Sequence, residues 1–137
     1  MSSGSRVGLA ALVLALAAAG TTTLKAQGMG MGMKVDTLMA ARGKKVWNNK
    51  QCYGCHDNGG GGNQSTGPNL IGVTDRRSVD WLRKWLKNPV DMAAEDSTAA
   101  ALKAQYNSQM PNMHLTGEEV EALINYLAQQ TMSRGGK

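Results

Sequence analysis

Phenylalanine is absent from this 137-residue chain, and aromatic residues make up only 4% of it. A core filled mainly by aromatic side chains is therefore excluded. No basic stripe interleaved with aromatics runs along the sequence, which sets nucleic-acid binding aside. No strand-like alternation stands out, so a β-sheet fold is not expected. The longest apolar run, residues 7–20, stops short of the roughly 20 residues of a membrane span, and Thr21, Thr22 and Thr23 interrupt it. Acid–base side chains do not cluster, which argues against autonomous catalysis. Cysteine is limited to Cys52 and Cys55, too few for a disulfide framework and too close together to read as an ordinary exported disulfide.

What is present begins with an export pattern. Residues 2–6 are polar with one positive charge, residues 7–20 are apolar or small, and Ala26 precedes Gln27. That order reads as a secretory signal cleaved after residue 26, placing the mature chain in the periplasm or otherwise outside the cytoplasm. The alternative is an uncleaved anchor that keeps the chain at a membrane. Without Arg6 and Lys25 the balance is 13 basic against 10 acidic residues, a mild excess that suits an acidic docking partner. Residues 27–35 are expected to be a flexible Gly/Met-rich leader. Its alternating thioethers leave a soft copper(I) site as the sharper alternative.

Four helices can be placed. Asp36 is an N-cap for a first helix reaching about Lys50, with Leu38, Met39, Arg42, Val46 and Trp47 at helical spacing. Gly43 inside it weakens the helix by about 1 kcal/mol relative to Ala and reads either as a place where another backbone comes close or as a tolerated glycine of no consequence. Residues 57–69 are loop by composition. Ser78 caps a second helix over residues 78–88, ended by Pro89, in which Trp81, Leu82, Trp85 and Leu86 share a face. A weakly amphipathic, Ala-rich helix covers residues 97–106. Thr116, Gly117, Glu118 and Glu119 form a capping box for the last helix, with Leu115 stapling onto Val120 and a stripe of Val120, Leu123, Ile124 and Leu127 behind it. The expected architecture is an all-α domain over residues 36–131, with a tail at 132–137.

Residues 52–56 read Cys-Tyr-Gly-Cys-His, the C-x-x-C-H pattern of c-type haem attachment. Two thiols at this spacing add across the two porphyrin vinyl groups, and the adjacent imidazole of His56 becomes the proximal ligand to iron. A haem is also a large apolar body that fills the volume aromatic residues leave. Three other readings compete. Zinc needs a second ligand pair, whereas His114 is the only other His and no third Cys exists. A thioredoxin-like pair wants a strand–helix unit. A disulfide leaves His56 unexplained. Candidates for the sixth ligand are Met110 and Met113, with Met92 and His114 further out; any of these methionines also serves as core filler. Arg76 and Arg77 suit the haem propionates, since an Arg binds a carboxylate through two hydrogen bonds. Trp81 and Trp85 can donate indole N–H groups to the same carboxylates. A solvated basic turn is the plain alternative for the two arginines.

Taken together, residues 36–130 resemble the class I cytochrome c family. Gly43 and Trp47 resemble its Gly/aromatic pair, residues 52–56 its haem motif, and Gly67-Pro68-Asn69-Leu70 the segment whose Pro, 12 residues beyond the haem His, steadies that ligand. Leu123-Ile124-Asn125-Tyr126-Leu127 resembles the C-terminal helix whose Tyr packs near Gly43. The resemblance implies a cytochrome c fold of four or so helices around one covalent haem c, with the axial Met the one followed by Pro, hence Met110. It implies a one-electron carrier passing electrons between a redox donor and acceptor of respiratory or nitrogen-oxide chains, acting as a monomer and not as an enzyme. Trp at 47, one extra residue before Cys52, the Met-Pro-Asn segment and the long Gly-rich loop look bacterial; a fainter likeness over residues 67–88 is to haem domains of nitrous-oxide reductase systems. Lys50, Lys87, Lys44 and Lys45 are expected to ring the haem edge and steer the partner. The alternatives are a haem subunit of a larger oxidoreductase or terminal oxidase complex, and a gas-binding haem sensor.

Overall fold

Every helix longer than one turn begins where a side chain satisfies backbone donors that the first turn leaves unpaired. The computed structural model describes residues 33–59 and 64–134. The expected signal at 1–26, residues 27–32 of the leader and residues 135–137 of the tail lie outside them. In chain order the helices are α1 (Thr37–Asn49), α2 (Val73–Arg76), α3 (Val79–Lys87), α4 (Pro89–Glu95), α5 (Ser97–Tyr106) and α6 (Gly117–Arg134), with a 3-10 turn at Cys52–Gly54. Among the described residues there is no strand, and no helix is long and apolar enough to cross a membrane.

The Asp36 carboxylate accepts the Leu38 and Met39 N–H groups at 2.9 and 3.0 Å and opens α1. Ser78 accepts the Trp81 N–H and opens α3. Before α6 the Thr116 hydroxyl accepts the Glu119 N–H at 3.2 Å, and the Glu119 carboxylate accepts the Thr116 N–H at 2.8 Å. Leu115 and Val120 are both buried in the main core cluster, as a staple requires.

Among the described residues six helices stand where four were expected. Pro89 reads as the end of α3, yet it also occupies the first turn of α4, where its missing N–H is no loss. The Asn88 side chain caps α4 by accepting the Asp91 N–H. The other addition, α2, is a single turn entered through Gly72 at φ 72°, too short to carry a periodic signal.

The frame of the domain is the crossing of α1 and α6. A Cβ at Gly43 would sit 2.0 Å from the Ala122 carbonyl oxygen and 2.7 Å from Tyr126 Cβ, so the two backbones touch there. Trp47 packs on Tyr126 with ring centroids 6.0 Å apart, and the Asn125 side chain accepts the Asp36 N–H at 2.9 Å. On the other side Arg83 of α3 grips the Glu121 carboxylate of α6 through Nε and Nη2, at 2.6 and 3.0 Å. This exposed pair orients α3 more than it stabilises the fold. Gly43→Ala tests the crossing. It gains up to about 1 kcal/mol of helix propensity but forces an atom into backbone, an overpacking cost of about 1–3 kcal/mol or more. The melting temperature of the haem-loaded protein is expected to fall, by about 10 °C for a net loss near 2 kcal/mol. A thermal melt at or above wild type would contradict it.

Candidate functional site

The end of α1 is turned sharply. Gln51 takes a left-handed conformation, φ 54°, and the chain reverses into the 3-10 turn that carries Cys52. The Cys55 and His56 N–H groups both donate to the Cys52 carbonyl, at 3.2 and 3.0 Å. Two thiols and an imidazole are thereby presented from one tight turn. Both cysteines are free thiols, so the disulfide alternative is not realised. Burial pushes the Cys52 thiol up to about 11, which keeps it protonated at neutral pH, unlike an activated redox thiol. Among the described residues no three His, Cys, Asp or Glu side chains converge as a metal-binding group.

His56 is held in one orientation. Its Nδ1 lies 2.9 Å from the Pro68 carbonyl; a carbonyl only accepts, so Nδ1 carries the proton and Nε2 keeps its lone pair for a metal. Burial pushes the His56 imidazole below its ordinary pKa, opposed by the hydrogen bond to Pro68, so the ring stays neutral at physiological pH. A Cβ at Gly67 would lie 2.7 Å from His56 Cε1 and 2.8 Å from Nδ1, so the residue before Pro68 has no room for a side chain. The buried Asp57 carboxylate accepts from the Gly59 N–H, Gln64 and Asn69, and its carbonyl accepts the Leu70 N–H at 2.7 Å. These bonds tie the haem motif to the loop that supplies Pro68. The sequence signal for Gly67 is its place before Pro68; Asp57 carries no local signal, because its partners come from 2 to 13 residues away.

Cys52, Cys55, His56, Pro68, Arg76, Arg77, Trp81, Trp85 and Met110 all line one cleft of about 1180 Å³, open mouth included. Its wall is mostly apolar, with Trp47, Leu70, Val73, Leu82, Leu86, Leu123 and Leu127 behind the polar groups. Met110 is the only methionine on that wall among the described residues. Met113 packs against the core without lining the cleft. Met92 and the exposed His114 do not line it either. Two expectations need correction in detail. The Trp85 indole does not offer its N–H to a carboxylate; it donates to Met110 Sδ at 3.1 Å. Arg76 donates to the Ile71 and Asn69 carbonyls at 2.6 and 2.9 Å, so part of its guanidinium serves the loop. Arg77 lies over Trp81, 5.3 Å from the ring centroid, and Trp81 stacks on Trp85 at 5.5 Å and 14°. Lys50 and Lys87 also have structural partners, the carbonyls of Met113 and Leu115 at 3.1 and 3.5 Å. They brace the segment between Met110 and α6.

This donor set suits a haem c. Two thiols lie close together on the cleft, with a neutral imidazole whose Nε2 is free and a thioether on the same apolar wall. Comparisons with known proteins agree. The sequence profile described as Cytochrome c matches residues 40–131. The fold is similar to cytochrome c from Rhodothermus marinus, with a TM-score of 0.67 and 27% identity over 76% of this chain and 86% of that one. It is also similar to an engineered cytochrome c from the same organism, with a TM-score of 0.64 and 26% identity over 74% and 85% of the two chains. That engineered protein bound to a carbene intermediate gives a TM-score of 0.62 at the same identity and coverage. No curated protein matches. A profile spanning most of the chain, over a helical fold whose cleft gathers the C-x-x-C-H residues, shows that the chain belongs to the cytochrome c family and carries a covalently bound haem c for electron transfer.

Proposed function

We infer that the chain is an exported single-electron carrier in which His56 and Met110 would hold the haem iron. The observation that carries this is one cleft shared by Cys52, Cys55, His56 and Met110. The bound haem supplies a one-electron iron couple, and His/Met ligation raises its potential. The chain's own residues do the rest. Cys52 and Cys55 form the thioether links. Pro68 and Gly67 fix the His56 ring so that Nε2 is aimed by its backbone anchor and does not swing. Met110 would hold the iron through its thioether, which would leave no place there for a substrate or gas and would favour electron transfer over sensing. The apolar wall excludes water and limits the reorganisation that electron transfer requires. Arg77 and the remaining donors of Arg76 neutralise the propionates.

Export follows from the residue 1–26 pattern, since haem attachment of this kind belongs outside the cytoplasm. The partners are a redox donor and an acceptor with acidic docking faces. The exposed Lys44 and Lys45 supply the steering charge, and exchange is expected to slow as salt rises. The testing experiment is a reductive titration followed in the visible spectrum. One reversible electron per chain, with a sharp low-spin reduced spectrum, is expected. A high-spin reduced spectrum, or carbon monoxide binding as fast as in an open haem, would overturn the carrier role.

A further inference from the structure

Four side chains form a column along the cleft wall. The Arg77 guanidinium lies over Trp81, Trp81 stacks on Trp85, and the Trp85 indole Nε1–H donates to Met110 Sδ at 3.1 Å. Trp85 is therefore clamped on one face by Trp81, which is itself covered by the Arg77 guanidinium. Both residues of the bond sit where haem ligation puts a demand on them. An indole N–H can only donate, and a thioether sulfur keeps a second lone pair after one is given to a metal.

We propose that Trp85 is a positioning residue for the axial sulfur and sets the balance between the oxidised and reduced haem through its hydrogen bond to Met110. The proposal rests on Met110 being an iron ligand. Donation from the N–H withdraws electron density from sulfur. Oxidised iron needs that density more than reduced iron, so the bond favours the reduced state. Second-shell hydrogen bonding is a general means of tuning haem potentials. The stacked Trp81 fixes the indole plane, so the donor direction survives movement at the cleft mouth.

The test uses the haem-loaded protein and two replacements. Trp85→Phe removes the N–H and keeps an aromatic ring. Benzothienylalanine at position 85 keeps the bicyclic shape and replaces the N–H by sulfur, which covers the case in which Trp85→Phe fails to assemble. Spectroelectrochemical titration is expected to show the equilibrium constant for reduction falling about threefold or more when the N–H is removed, in line with one net hydrogen bond. Equal equilibria for wild type and both position-85 replacements would overturn the proposal. The near-infrared band of oxidised Met110→Ala separates the two levels. If the band persists in that variant, the ligand assignment and the proposal both fall; if it is lost while the position-85 replacements leave the equilibrium unchanged, the proposal alone falls.

Discussion

Met110→Ala is expected to abolish the weak near-infrared absorption of the oxidised protein while the haem stays attached. The absorption arises from sulfur bound to ferric iron, and Met110 is the only methionine on the cleft wall among the described residues. Alanine leaves no donor there, so the ligand proposed for the iron is lost. The potential then falls, because the Met ligand raises it, and carbon monoxide gains access to the reduced iron. Truncating a partly buried Met also weakens the fold, by about 2 kcal/mol at the lower end of core methionine truncations. Met113→Ala serves as the contrast. Met113 packs on the core beside the cleft, so its loss is expected to lower stability and leave the absorption intact. Loss of the band only in Met113→Ala would reverse the ligand assignment.

Replacing Cys52 and Cys55 together by Ala is expected to leave no covalently bound haem and little folded protein. The cleft wall is largely apolar and runs deep into the domain. Without a firmly held group that surface faces water, a loss on the order of the whole stability of a small domain, about 5–15 kcal/mol. Cys52→Ala alone keeps one thioether at Cys55 and is expected to retain haem with a shifted spectrum. Recovery of wild-type yield and spectrum from the double variant would show that neither thiol attaches the group.

Signals confined to a few neighbouring residues were the legible ones. Asp36, Ser78 and the box from Thr116 to Glu119 each mark a helix start by a side chain that bonds backbone two or three residues away, and all three starts lie where the sequence puts them. Gly43 was legible as one of two things, a close approach or a tolerated glycine, because an isolated Gly inside a helix costs stability without naming its cause. The partner, Ala122, lies far along the chain. Pro89 was ambiguous in principle: the same residue ends α3 and opens α4, and only the Asn88 side chain on the Asp91 N–H separates the two roles. Within the site, Cys52, Cys55, His56, Pro68, Arg76, Arg77, Trp81, Trp85 and Met110 come together on one cleft. Roles set by direction did not show. Whether an indole N–H meets a propionate or a sulfur depends on the placement of α3 against the segment before α6, which no local pattern encodes. The same holds for Lys50 and Lys87, whose ammonium groups turn to backbone carbonyls.

The central claim is covalent haem on residues 52–56, and proteolytic mapping tests it most directly. Trypsin cuts after Lys50 and Arg76 and releases a peptide of residues 51–76 that holds both cysteines and His56. After denaturation and acid–acetone extraction, that peptide is expected to keep the colour and the added mass of one haem. A colourless peptide of unmodified mass, with haem recovered in the extract, would contradict the account.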